Sequence, residues 1–163
     1  MTGTSAGGQS TIDEQSVELY ARNNPRLNPF TIPRTMSNSP ASYLSMKYGL
    51  TGPAWAVSTA CSSSNHAIGQ AFWMVRQGLA DFALTGGSEA PLNLGFLKAW
   101  EAMRVVSPDI CRPFSKDRRG LILGEGAGFL VLEPLDAATA RGATIYAEIA
   151  GFGITSDAYH VTQ

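Results

Sequence analysis

The chain predicts an α/β fold, on three observations. Short runs of apolar and β-branched residues alternate with segments whose apolar residues recur at helical spacing. Glycine is plentiful, 17 of 163 residues. Charged residues make up only 15% against 44% hydrophobic, which suggests close packing with little free surface. The length is about that of one domain and is enough to bury a core.

The elements follow in order. MTGTSAGGQS reads as the end of a strand running into a glycine turn, so the chain is expected to begin inside a domain. Residues 11–23 carry Ile12, Val17, Leu19 and Tyr20 among acids and predict a helix entered through Ser10 or Thr11. Residues 24–40 hold four prolines and read as a structured loop. Ser39-Pro40 then opens a helix, with proline at its first position, that runs to Tyr48 and stops at Gly49.

Residues 55–60 predict a short buried strand. From Cys61 to Gln77 the apolar residues Ala67, Ile68, Ala71, Phe72 and Val75 lie at helical spacing, and Gly78 closes that helix. Residues 81–85 (DFALT) predict a buried strand ended by Gly86-Gly87, and residues 94–104 a helix. Residues 110–120 form a basic loop, 121–133 a strand interrupted by glycines, 134–141 a helix and 145–152 a last strand. The sequence holds no repeat and no low-complexity tract.

A net charge of −1 gives no electrostatic case for nucleic acid or an anionic membrane as partner. Residues 48–75 contain no Asp, Glu, Lys or Arg, but Pro53 and the polar cluster from Ser58 to Gln70 exclude a membrane span. The first ten residues lack the basic start and apolar core of a signal peptide. Two cysteines, Cys61 and Cys111, are too few for a disulfide framework, so a reduced, cytoplasmic chain is expected. No cluster has the spacing of metal ligands.

Chemistry concentrates at AWAVSTACSSSNHAIGQAF, residues 54–72. A buried strand, a turn, Cys61 and a helix in succession would lift a thiol to the top of a sheet, as a nucleophile elbow does, although the Gly-x-Ser-x-Gly pattern is absent. If Cys61 begins the helix, the dipole stabilises a thiolate by up to about 2 kcal/mol, lowering a thiol from about 8.5 to about 7. Unpaired N–H groups at that end would supply half of an oxyanion hole. Equally, cysteine is among the most buried and inert of residues. The local pattern leaves both readings open.

The possible bases do not decide it. His66 is five residues on, about 140° around the helix, and points away from Cys61. His160 could approach only through the fold. GEGAG, Gly124 to Gly128, lacks the features of a phosphate loop and reads as a strand passing close to another backbone. CRPFSKDRRG places Arg112, Lys116, Arg118 and Arg119 together, either as a salt-bridged loop or as a docking face for an acidic partner.

With these segments in view, VSTACSSSNHAIGQA resembles the active-site segment of β-ketoacyl-[acyl-carrier-protein] synthases of the thiolase-like superfamily. GTSAGG, YGLTGP, LTGGSEAPL, CRPFSKDRRG, LGEGAGFLVLEPLDAATARGATIYAE and GFGITSDAYHVT follow in that family's order. The likeness covers nearly the whole chain and is strongest to the elongating type II enzymes; KAWEAMRVVSPDICRPFS is also similar to their nodulation-type relatives.

The resemblance implies a layered α/β/α sandwich with a mixed sheet. It implies that Cys61 accepts an acyl chain as a thioester, and that malonyl-acyl carrier protein is then decarboxylated and condensed onto it in fatty-acid biosynthesis. No cofactor is implied beyond the 4'-phosphopantetheine of the carrier. Trp100 takes the place of an aromatic gate to the acyl pocket, Arg104 that of a basic residue near the carrier-protein entrance, and Asp157 and His160 those of structural or pocket-lining residues.

The resemblance further implies a homodimer formed through an edge strand at residues 81–85. It divides the chain into most of the N-terminal half, residues 1–143 without its first strand and helix, and the start of the C-terminal half, 144–163. The family's catalytic histidines and lysine are expected outside this chain, leaving it inactive in condensation when alone. Ser115 and Arg119 stand where acidic residues are commoner, which puts the family's salt bridges there in doubt. A polyketide-type ketosynthase subunit and a cysteine acyl-hydrolase pairing Cys61 with His160 are the rival readings. A chain-length-factor-like structural partner would typically lack the cysteine.

Overall fold

The computed structural model describes residues 1–160. Four strands form one mixed sheet in the order β2-β1-β3-β4. Strand β1 (Thr2–Gly3) pairs in parallel with β2 (Ala56–Val57) on one side and with β3 (Ala83–Glu89) on the other. Strand β4 (Gly126–Leu132) runs antiparallel to β3 over its whole length, from Ala83 opposite Leu132 to Glu89 opposite Gly126. The α/β prediction therefore holds, with a parallel centre and one antiparallel edge.

Between β1 and β2 lie α1 (Gln9–Ser16), a π-helical turn over Val17–Ala21, α2 (Thr31–Thr35) and α3 (Ser39–Tyr48). Helix α3 is bounded as the sequence predicts, with proline in its first turn and Gly49 in the left-handed conformation at its end (φ +64°). Helix α2 was not expected in the proline-rich loop. Its Pro33 is the third helical residue, where no intrahelical N–H is required, so the proline does not break it.

Helix α4 (Ser63–Arg76) joins β2 to β3 and packs across β1 and β3. Ala67 and Ala71 on its inner face are 0% exposed. Small residues at that spacing bring the helix down onto the sheet. Gly3 and Gly87 allow the approach: a Cβ on Gly3 would lie 2.4 Å from the Ser63 backbone, and one on Gly87 2.0 Å from Ser64 Oγ. Trp55 Nε1 donates to Gln70 Oε1 (3.0 Å), tying the approach to β2 to the same helix. Helices α5 (Leu94–Ala102), capped by the Asn93 side chain, and α6 (Leu135–Ala140) complete the regular structure among the described residues.

Several expectations need correction. The DFALT strand begins at Ala83 and continues through Gly86-Gly87 to Glu89, because the glycines face close neighbours and need no side chains there. It is an interior strand, hydrogen-bonded to β4 on one side and continued by β1 on the other. On the β1 side the ladder covers only Gly86 and Gly87; beside residues 83–85 the Met1 ammonium donates to the Leu84 carbonyl (2.8 Å). A Cβ on Gly124, Gly126 or Gly128 would meet nothing among the described residues, so close backbone approach does not explain GEGAG. Residues 145–152 pair with no strand among the described residues and are irregular despite their alternation. No helix among the described residues is long and apolar enough to cross a membrane.

Candidate active site

The cysteine turn is built by its own serines. After Val57 the chain leaves the sheet, and Ala60 adopts a left-handed conformation (φ +51°). For a residue with a Cβ that conformation costs on the order of 1–3 kcal/mol and persists only where the surroundings enforce it. Here Ser63, 3% exposed, enforces it: its Oγ donates to the Ala60 carbonyl (2.6 Å) and accepts from the Thr59 N–H (2.8 Å). The Ser63 N–H also donates to Ala60, at 3.1 Å. Ser62 Oγ adds a bond to the Thr59 carbonyl (2.7 Å).

The result is a sharp strand-to-helix turn with Cys61 exposed at its tip. Cys61 does not begin the helix. It precedes the N-cap Ser62, and the first helical residue is Ser63.

A cavity of about 300 Å³ opens beside it, lined by Cys61, Ser63, Ser64, the Gly3–Ser5 segment and Gly87–Glu89, with Gly126–Gly128 across from them. It lies beyond the C-terminal ends of the parallel strands β1 and β3. From β1 the chain goes to β2 on one side and β3 stands on the other, which is where open α/β sheets bind ligands.

Besides Cys61, Glu89 is the single ionisable side chain lining this cavity among the described residues. Burial pushes its carboxyl up. Hydrogen bonds from the Ser5 hydroxyl and N–H, the Thr4 hydroxyl and the Ala6 N–H outweigh that and hold it below its ordinary value. Sequence reasoning assigned no role to Glu89 or Ser63. The three serines after Cys61 were the visible signal for Ser63. Glu89 and its partners lie more than eighty positions apart, with no local pattern to join them.

The other expected site residues do not gather at this cavity. His66 stacks edge-on against Phe152 (6.0 Å between ring centroids) and lines a separate space with Ser62, Asn65 and Gly69. That agrees with the expectation that it points away from Cys61. Trp100 is half-buried on α5, with its ring edge-on to Phe96. Arg104 falls beyond the helix, which ends at Ala102; it is exposed, in a left-handed conformation (φ +58°). His160 is exposed and does not line the cavity. Asp157 accepts from the Tyr159 N–H (3.1 Å).

The basic loop is partly self-neutralised. Arg119 pairs with Asp109 (2.5 Å), and Arg112 bridges Asp109 and Asp117 at 3.6 and 3.4 Å.

With this geometry in view, the family model described as "Beta-ketoacyl synthase, N-terminal domain" matches residues 1–138. Nodulation protein E of Rhizobium sp. (strain N33) is 48% identical over 163 residues, covering 100% of this chain and 40% of that protein. 3-Oxoacyl-[acyl-carrier-protein] synthase 2 of Staphylococcus aureus is 41% identical over 165 residues, covering 98% of this chain and 41% of that protein. Among solved structures, the ishigamide ketosynthase/chain length factor superposes with a TM-score of 0.91 at 35% identity, over 98% of this chain and 40% of that one. The chain thus spans about 40% of the length of the relatives it matches.

Proposed function

The chain belongs to the β-ketoacyl synthase family, through its N-terminal domain, and from that premise we propose that Cys61 is the acyl acceptor of a 3-oxoacyl-[acyl-carrier-protein] synthase. The observation that carries this reading is the strained Ala60 turn, which presents Cys61 to a cavity beyond the C-terminal ends of the parallel strands. In this reading the Cys61 thiolate attacks the carbonyl carbon of a carrier-bound thioester. The phosphopantetheine thiol leaves with a proton, and the acyl group stays on Sγ. Malonyl-acyl carrier protein then loses carbon dioxide, and its carbanion attacks the Cys61 thioester and releases the thiolate.

Among the described residues no histidine or lysine lines the Cys61 cavity, and the reading draws its decarboxylating groups from elsewhere in the assembled enzyme. We assign residues 1–143 to the N-terminal half of such an enzyme and 144–163 to the start of its second half. Trp100 is proposed as the gate to the acyl pocket and Arg104 as a contact at the carrier entrance. The acyl carrier protein named in the Staphylococcus aureus relative supports that carrier as partner and fatty-acid synthesis as the pathway. The nodulation relative and the chain-length-factor structure favour a second reading, a specialised or polyketide-type synthase. Self-association as a homodimer through the strand at residues 81–85 belongs to the same reading; there β1 leaves residues 83–85 without a ladder partner on one side.

Incubation of the full chain with an acyl-acyl carrier protein, followed by intact-mass and peptide mass spectrometry, tests the reading. One acyl adduct on Cys61 is expected, lost in Cys61→Ala and kept in Cys111→Ala. An adduct that survives Cys61→Ala would overturn it.

A further inference from the structure

We infer that Glu89 is a positioning residue of the Cys61 site, its carboxylate fixing the Thr4–Ala6 turn as the wall of the cavity that a bulky acyl thioester must pass. This rests on the reading of Cys61 as acyl acceptor. Glu89 ends β3, and three consecutive residues of the β1–α1 turn donate to it. Thr4 Oγ1 donates to Oε1 (2.9 Å), the Ser5 N–H and Oγ both donate to Oε2 (2.6 and 2.5 Å), and the Ala6 N–H is shared between the two oxygens at 3.4 and 3.3 Å. Thr4 Oγ1 in turn accepts from the Gly7 N–H (3.0 Å), so the same anchor closes the glycine turn.

Gly3, Thr4 and Ser5 line the cavity together with Cys61, so the turn that Glu89 holds is a wall of that cavity. Both carboxylate oxygens already accept two or more donors. Glu89 is therefore occupied as an acceptor and is not placed to take a proton from Cys61. Glutamine replaces it poorly. With its NH₂ on the Oε2 side it would meet the fixed Ser5 and Ala6 N–H donors; on the Oε1 side it could donate to the Thr4 hydroxyl, but the charge that strengthens the remaining bonds is lost and the turn is free to shift. A displaced wall obstructs a long acyl chain while leaving the exposed thiol open to a small reagent. A plain structural brace would not separate the two.

The test compares wild type, Glu89→Gln and Glu89→Asp in the full chain, following Cys61 by mass spectrometry with decanoyl-coenzyme A and with iodoacetamide. In Glu89→Gln, acylation should slow on the order of 10-fold to 100-fold, as ångström-scale misplacement does, while iodoacetamide labelling keeps its wild-type rate. Glu89→Asp, which keeps both acceptor oxygens, should recover part of the acylation rate. If Glu89→Gln does not fold by circular dichroism, Ser5→Ala carries the test, with a smaller slowing of acylation alone. Equal slowing with both reagents, or no change with either, overturns the role given to Glu89. A wild-type chain that iodoacetamide labels at Cys61 but decanoyl-coenzyme A does not would instead overturn the reading of Cys61 beneath it.

Discussion

The junction of α4 with β1 and β3 is built from small residues and is closed, whereas the edge strand β4 carries large apolar residues and is open on both faces. At the junction Ala67, Ala71, Thr2 and Thr85 are 0–1% exposed, and glycines let the first turn of α4 meet the sheet backbone. On β4, Leu130 and Val131 remain 50% and 58% exposed, and Ile145 and Tyr146 beyond it 47% and 94%. The difference shows where the fold is self-sufficient. The elements that shape the Cys61 turn are mutually locked, whereas β4 and the segment after α6 carry apolar residues that the described residues leave exposed.

The comparison can be broken most forcefully at Gly3. Gly3→Ala places a Cβ 2.4 Å from the Ser63 backbone, which has no flexible side chain to yield, and should cost about 3 kcal/mol in chemical denaturation. Next comes Ser63→Ala. It leaves the Thr59 N–H without its acceptor and frees the Ala60 turn, so a loss of about 2 kcal/mol is expected, together with slower acylation of Cys61.

A smaller effect separates the regions by pH. The Glu89 carboxyl lies below its ordinary value in the folded chain, so it stabilises the fold above the ordinary carboxylate range, and that stability is lost as pH falls through the folded value. Acid titration followed by circular dichroism should show a flatter decline for Glu89→Gln than for wild type.

Val131→Ala, on one of the two open faces of β4, should change stability by no more than about 0.5 kcal/mol. A cost like that of Gly3→Ala would mean that this face is covered in solution, for instance by a second copy, and light scattering would then report the larger species.

Sequence legibility followed the same division. Helices α3 and α4 were readable because their apolar spacing, Pro40, Gly49 and Gly78 are local signals. The strand–turn–helix around Cys61 was readable for the same reason, but the exact start of the helix was not, because Ser62 and Ser63 fold back on Thr59 and Ala60. Strand β3 was cut short at Gly86-Gly87, since a glycine pair reads as a stop until a helix and a neighbouring strand are known to press on it. Residues 145–152 have strand alternation without a ladder partner among the described residues, and alternation alone does not make a strand. Glu89 was invisible because its meaning depends on a turn at the other end of the domain.

The central claim is that the turn, and not mere exposure, makes Cys61 the acyl acceptor. Cys61 and Cys111 are both exposed and free, which makes each the other's control within one sample. The deciding measurement is the acylation rate of each cysteine by one acyl thioester, followed by peptide mass spectrometry in wild type and Ser63→Ala. The account predicts that Cys61 is acylated far faster than Cys111, and that Ser63→Ala slows Cys61 alone. Equal rates at the two cysteines, or a Cys61 rate indifferent to Ser63, would contradict it.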